Sequence, residues 1–388
     1  MSFRLQLLLV LALFVATGFG QAPVDVGHKR TLHSAVLNED RTFQVCLPAS
    51  YHWALDRSYP VLYILDGESH FLHAAGSATF LASKGEIPEL IVVAITSTVR
   101  IRDYTQTDWS SHWVGGGGAE HFKRFLSTEL IPAIERTYRT NRYRILWGHS
   151  AGGQFVLYAL SSEPSLFNAY IALSPSLDWD NNLPQRSLEQ ALQQTDSLRA
   201  FLYFAWSDDS GQALADDQRL QETVEKNAPK GFRWATRGFP DETHTSIPLV
   251  AHIDGLRRLY AGYRFPDDLV EKGLAYAEHH FGEVSGRVGY TIPVPEDVVN
   301  NLGYEELAKG NVHEAIELFK RNTRRNPHSA NALDGIADAY DRAGMRNEAM
   351  AAMKKAVDLA TRYKDPNLRY FTEHLKRLKS KPAPALPK

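Results

Sequence analysis

Runs that are apolar at nearly every position alternate with amphipathic stretches through the first two thirds of the chain. Residues 59–65, 90–95, 143–147, 169–173 and 200–205 are such runs, and residues 232–239 read as a further strand. A strand apolar on both faces belongs in a sheet covered on both sides, so these predict buried, mainly parallel strands. Ahead of them, residues 31–37 and 42–47 flank Asn38-Glu39-Asp40-Arg41 and predict an antiparallel hairpin. Helical periodicity fills the gaps at residues 120–138, 154–160, 213–226 and 247–263. Alternating strands and helices predict an α/β fold. The element count suits an eight-stranded sheet over residues 24–263.

Beyond residue 263 the pattern loosens. Residues 264–297 read as a linker with some helix at 267–280, and residues 298–380 then repeat at a spacing of 34. Leu302 pairs with Ile336, Gly303 with Ala337, Gly310 with Gly344, Ala315 with Ala349 and Phe319 with Met353. Pro327 closes the first unit. Tyr340 fills a position usually aromatic in tetratricopeptide units; Glu306 holds it in the first unit, a departure. This predicts a small all-α tetratricopeptide-like domain. Residues 381–388, rich in proline and lysine, predict a disordered tail.

Composition narrows the function classes. The chain has 388 residues, 44% hydrophobic and 23% charged, which suits one large domain and one smaller one. A net charge of −2 without a basic stripe argues against a nucleic-acid partner. Arg4, the apolar residues 5–15 and the small residues 16–20 predict a signal peptide over residues 1–20. The expected location is therefore periplasmic or extracellular, with no membrane span in the mature chain. The single cysteine, Cys46, excludes an intrachain disulfide and reads as a small buried apolar residue.

The chemistry concentrates at Gly148-His149-Ser150-Ala151-Gly152-Gly153. A strand precedes it and a helix follows, the layout of a nucleophile elbow, with Ser150 exposed at the sheet's carboxyl edge. A neutral serine hydroxyl needs a base. In α/β-hydrolases the order along the chain is serine, acid, histidine. Among the histidines after Ser150, only His244 follows a core strand directly and precedes a helix. The acid belongs at the end of the preceding strand, where Ser207-Asp208-Asp209-Ser210 lies. Asp209 is preferred, Asp208 is the alternative, and Glu242 comes third. Oxyanion donors are expected from the Ala151 N–H and from the loop Leu65-Asp66-Gly67-Glu68, with Glu68 N–H preferred over Gly67 N–H. His149, adjacent to the serine, is placed poorly for a base and is expected to pack beside the elbow. No cluster has metal-ligand spacing, and no cofactor is expected.

These residues together resemble the esterase D and enterochelin esterase-like branch of α/β-hydrolases. The resemblance rests on residues 61–68, Arg102-Asp103-Tyr104-Thr105, residues 117–138 and 144–153, Ala172-Leu173-Ser174-Pro175-Ser176 and the loop of His244. It implies Ser150 and His244 as catalytic, with a backbone donor just after Asp66-Gly67. For the acid this chain departs from the pattern: many relatives carry glutamate where it has Asp208-Asp209. Family members with appended tetratricopeptide-like repeats fit the second domain. Trp109, Trp113 and Gly115 to Gly118 occupy a loop that either shapes the substrate pocket or serves as scaffold, and residues 179–195 suit a short cap.

The expected activity is hydrolysis of a small-molecule carboxylic ester, siderophore-type or other. Acyl transfer, thioester cleavage and peptide cleavage on the same triad remain alternatives. A non-enzymatic role, in which the repeats recruit a protein partner or a second copy, is the third reading.

Overall fold

The structure is a computed structural model and describes residues 25–112 and 115–380. The expected signal peptide, the terminal tail and Trp113 lie outside those residues. The sheet comprises β1 (His28–Ser34), β2 (Glu39–Cys46), β3 (Tyr59–Ile64), β4 (Ile91–Ile95), β5 (Thr140–His149), β6 (Ala169–Leu173), β7 (Phe201–Trp206) and β8 (Arg233–Gly238). Its order is β1-β2-β4-β3-β5-β6-β7-β8. The β1–β2 and β2–β4 pairs are antiparallel, and every pair from β4 to β8 is parallel.

The helices are α1 (Gly67–Ser83), α2 (Arg100–Tyr104), α3 (Ala119–Phe125), α4 (Ile131–Thr137), α5 (Ala151–Ser162), α6 (Trp179–Gln193) and α7 (Gly211–Asn227). They continue with α8 (Ile247–Leu259), α9 (Gly273–Val288), α10 (Glu296–Lys309), α11 (Val312–Arg325), α12 (Ala330–Arg342), α13 (Arg346–Arg362) and α14 (Leu368–Ser380). The expected helix over 120–138 is interrupted: a π-helical turn, Leu126–Leu130, joins α3 to α4. Pro132 at the start of α4 has no N–H to donate back, and the wider turn absorbs the missing bond.

Strand alternation sorts side chains into two cores. Tyr63, Leu146, Tyr170, Leu202 and Phe204 face one side, against Phe122, Phe155, Leu188 and Leu220 from α3, α5, α6 and α7. Ile64, Ile145, Trp147, Ile171 and Tyr203 face the other, against Phe71, Ala251, Leu256 and Phe281 from α1, α8 and α9. The second core extends through Val294, Val298, Val299 and Leu302. Residues 264–297 are thus packed structure, with α9 contributing to the core on this side of the sheet, where the sequence reads as a linker with some helix at 267–280. The apolar positions of α9 (Ala277, Phe281, Val284 and Val288) sit one helical turn apart, among glycines and histidines that mask the pattern.

Helices α10 to α14 pack in succession, each on the next. Gly310 and Gly344 end α10 and α12 with φ of 82° and 76°, left-handed positions suited to glycine. Gly303 and Gly335 leave room for the Phe319 ring, which a Cβ at either would meet at 2.6 Å. Tyr304 OH donates to Asp338 Oδ2 at 2.9 Å, one repeat spacing away.

Candidate active site

β5 ends at His149 and α5 starts at Ala151, so Ser150 makes the turn alone. Its φ of 59° and ψ of −121° are strained for a residue with a side chain. Hydrogen bonds hold it there: Ser150 N–H donates to the Leu173 carbonyl at 2.9 Å, and its own carbonyl accepts from Gln154 N–H at 2.9 Å and Ser176 N–H at 3.2 Å. Glycine permits the crossing. A Cβ on Gly148 would lie 2.3 Å from the Gly152 carbonyl oxygen, and one on Gly153 would lie 3.0 Å from Pro175 Cα. Ser150 Oγ is part-buried and stands 3.5 Å from Ser176 Oγ.

Beside β5, β3 passes through Asp66 into α1. Asp66 has φ 52° and ψ 49°, and Gly67 abuts β4, where a Cβ would meet the Ala94 carbonyl carbon at 2.7 Å. Gly67 and Glu68 open α1 as Ala151 opens α5. First-turn N–H groups have no acceptor within the helix and carry the positive end of its dipole. Both helix starts sit at the carboxyl ends of neighbouring parallel strands. The Glu68 carboxylate turns away to accept from Ser97 N–H at 3.0 Å and from the Ser97 hydroxyl.

His244 lies exposed in the turn between β8 and α8. Its loop is tied to the end of β7: Asp208 N–H donates to the Glu242 carbonyl and Phe239 N–H to the Trp206 carbonyl, both at 2.8 Å. The Glu242 carboxylate accepts from Ser246 Oγ at 2.6 Å. Asp209 Oδ2 accepts from Ser207 N–H at 3.1 Å and Ser207 Oγ at 3.0 Å. Among the described residues, no hydrogen bond joins the His244 ring to Ser150, Asp208 or Asp209. Asp217, buried close by, has its carboxyl pushed up to about 8 by burial and then by the charge of Asp209.

The histidines gathered under the site escape a reading of the sequence. The His149 ring lies 4.7 Å from that of His244 and 5.7 Å from that of His70. His70 Nδ1 and His73 Nε2 are 2.9 Å apart, and the His73 ring lies 6.0 Å from that of His252. Burial pushes His149 and His252 down to about 3 and His70 to about 4, so this group is neutral at ordinary pH. His70 and His73 share a face of α1 by their spacing, which is visible in the sequence. Their partners come from β5 and α8, which is not.

An aromatic cluster ties residues 107–112 to the start of α6. Trp109 stacks on His112 with ring centroids 4.6 Å apart and meets Trp179 edge-on at 5.3 Å. Trp179 Nε1 donates to Thr107 Oγ1 at 3.1 Å, and that hydroxyl donates to Asp180 Oδ2 at 2.8 Å. Asp180, Asn181 and Asn182 all have left-handed backbone, a turn set inside α6.

Two features lie apart from Ser150. Asp334, Asp338 and His374 offer atoms within 4.8 Å of one another, a grouping the sequence spacing does not show. His374 Nδ1 lies 2.6 Å from Asp334 Oδ1, and that hydrogen bond raises the imidazole's pKa, which suits an ion-paired staple between α12 and α14. A cleft of about 1080 Å³ is lined by Trp53, Arg57, Tyr59, Phe265, Glu296 and Asn326, among others. It borders the start of β3 and β5, roughly 30 Å along the strand from Ser150. Arg57 spans it, donating to Glu89 Oε2 and Asn326 Oδ1, each at 3.0 Å.

Residues 34–246 match the family described as putative esterase. The ferri-bacillibactin esterase BesA of Bacillus subtilis is 34% identical over 163 residues, 37% of this chain and 56% of that protein. The siderophore triacetylfusarinine C esterase of Aspergillus fumigatus is 32% identical over 133 residues, 31% of this chain and 46% of that protein. The chain therefore spans about half the length of the curated relatives it matches. The crystal structure of an IroE-like serine hydrolase from Shewanella oneidensis superposes with a TM-score of 0.69 at 28% identity, covering 77% of this chain and 99% of that one.

Proposed function

This chain belongs to the putative esterase family, and we propose that it is a serine esterase that cleaves a carboxylic ester through an acyl-enzyme on Ser150. The observation that carries this reading is the strained Ser150 between β5 and α5, with two helix starts beside it. Ser150 Oγ attacks the ester carbonyl while His244 takes its proton. The Ala151 and Glu68 N–H groups hold the oxyanion; Gly67 N–H is the alternative second donor. The tetrahedral adduct collapses, the C–O bond to the alcohol breaks, and His244 returns the proton to the leaving oxygen. Water then attacks the acyl-enzyme, losing its proton to His244, and the carboxylic acid departs as Ser150 regains its hydrogen. The end of β7 supplies the acid, Asp209 before Asp208, to orient His244.

The substrate class we favour is a small siderophore-type ester. Likeness to the Bacillus and Aspergillus siderophore esterases supports it. Export to the periplasm or beyond and a tetratricopeptide-like role for residues 298–380 belong to the same reading; the 34-residue spacing of Gly310 and Gly344 supports the latter. The test is a fluorophosphonate probe followed by a panel of aryl esters, thioesters and peptide amides. Covalent label on Ser150 with turnover of the esters is expected. An unlabelled, folded protein, or turnover confined to amides, would refute the proposal.

A further inference from the structure

The net charge of −2 conceals a division within the chain. From Arg346 to Lys388 there are eleven lysines and arginines against four aspartates and glutamates, a net +7 that leaves −9 for residues 1–345. Much of this excess is displayed on α13 and α14. Lys354, Lys355 and Arg362 on α13 are exposed, as are Lys376, Arg377 and Lys379 on α14. The two helices pack on each other. Arg346 Nη2 donates to the Leu378 and Lys379 carbonyls at 3.2 Å and 3.1 Å, which brings the start of α13 to the end of α14. Residues 381–388, with Lys381 and Lys388, follow from that end.

The fold does not neutralise these charges. Lys354, Lys355, Arg362, Lys376 and Lys379 form no ion pair among the described residues. On α10 and α11, by contrast, Lys309 pairs with Glu305 at 3.4 Å and Glu306 at 3.1 Å, and Lys320 pairs with Glu317 at 2.8 Å. A helix that closes an array needs a polar outer face, which carboxylates serve equally well. Lys376, Arg377 and Lys379 also suit the carbonyl end of α14. Lys354 and Lys355 lie in the middle of α13, where the helix dipole gives no reason for them.

We propose that the exposed faces of α13 and α14 dock on an anionic phospholipid surface. Each Lys or Arg close to such a surface strengthens binding roughly fivefold, without a fixed partner for each charge. Met345 and Tyr370, 38% and 52% exposed, adjoin the charges along the chain and suit the headgroup boundary. A nucleic-acid groove would set stacking aromatics along the line of charge. Among the exposed large apolar residues of α13 and α14, Tyr370 is the one aromatic. The same surface repels the net −9 of residues 1–345, so approach is steered with α13 and α14 leading. The proposal does not depend on the esterase reading of Ser150.

Co-sedimentation of the full chain with lipid vesicles tests this. The vesicles are phosphatidylcholine alone, or phosphatidylcholine with about one third phosphatidylglycerol. Binding to the anionic vesicles at ~0.1 M salt should be at least about 30-fold tighter than to the neutral ones, and should be lost at ~1 M salt. Lys354→Gln with Lys355→Gln, and Lys376→Gln with Lys379→Gln, should each weaken it roughly 10- to 30-fold at an unchanged melting temperature. Should one pair fail to fold, the other decides. Equal binding to both vesicles, or binding to neither, would overturn the proposal. So would binding that survives ~1 M salt, which would trace to apolar contacts such as residues 5–15 rather than to charge. Undiminished binding by a folded paired variant would also overturn it. Tighter retention on duplex DNA than on the anionic vesicles would assign the surface to nucleic acid, and a salt-sensitive dimer in place of vesicle binding would assign it to a second copy; either result refutes the lipid assignment.

Discussion

The rings of His149 and His244 lie 4.7 Å apart, centroid to centroid, with their planes tilted by 44°. The residue before the proposed nucleophile thus touches the proposed base. A base delivered on an exposed loop needs a surface to rest on, and the neutral ring of His149 provides one. His149→Ala should lower kcat about tenfold, on the scale at which misplaced catalytic groups act, while His149→Phe keeps most of it. Equal kcat in the wild type and His149→Ala would show that the contact is only packing.

The two aspartates after β7 can be separated. Asp209→Asn should lower kcat by up to ~10⁴-fold if Asp209 orients His244 as a triad acid does, and Asp208→Asn should cost much less. Because Asp209 already accepts two hydrogen bonds from Ser207, the catalytic state must also bring its carboxylate to the His244 ring. The reverse ranking moves the acid to Asp208. Near-normal activity in both removes the acid from this loop.

Protonation should act with opposite sign in the two halves of the chain. His70, His73, His149 and His252 have lowered pKa values, from burial first. The stability they contribute is present above the unfolded imidazole value of ~6.5 and is lost as pH falls toward their folded values. His374 is raised by Asp334, so its contribution is present below ~6.5 and is lost as pH rises through its folded value. All seven tryptophans lie at or before residue 234, so their fluorescence reports the sheet domain alone. Between pH 7 and 5 the fluorescence melt should move down. In His374→Gln, the far-ultraviolet melt of the helices should lose its dependence on pH above 6. A fluorescence melt that rises on acidification would contradict the assignment.

Much of this arrangement is legible from local pattern. Apolar runs locate the strands, and Gly148, Gly152 and Gly153 mark the elbow because steric exclusion at a turn is written in adjacent residues. The rest depends on contacts across the chain. Arg100 meets Asp66 and His149 only after β3, β4 and β5 align. The histidine group draws on α1, β5 and α8. In the apparent linker the sequence shows a helix but not its extent to Val288 or its place in the core, because its apolar stripe is short and interspersed with Gly282, Gly286, His279 and His280.

That last difference bears on truncation. A chain ending at Phe265 would lose Phe281, Val284, Val288 and Val299 from the core that holds Ile145 and Trp147. Such losses cost about 2–5 kcal/mol per large side chain, against a total stability of roughly 5–15 kcal/mol. The shortened chain should aggregate or melt without cooperativity in differential scanning fluorimetry. A soluble, cooperatively melting and active fragment would show that α9 and α10 are dispensable to the sheet.

The proposal that Ser150 is the nucleophile stands or falls on kcat of Ser150→Ala with an aryl ester, with circular dichroism as the check on the fold. A loss on the order of a millionfold with an unchanged spectrum is expected. A folded Ser150→Ala protein that keeps more than a few per cent of wild-type turnover would contradict it.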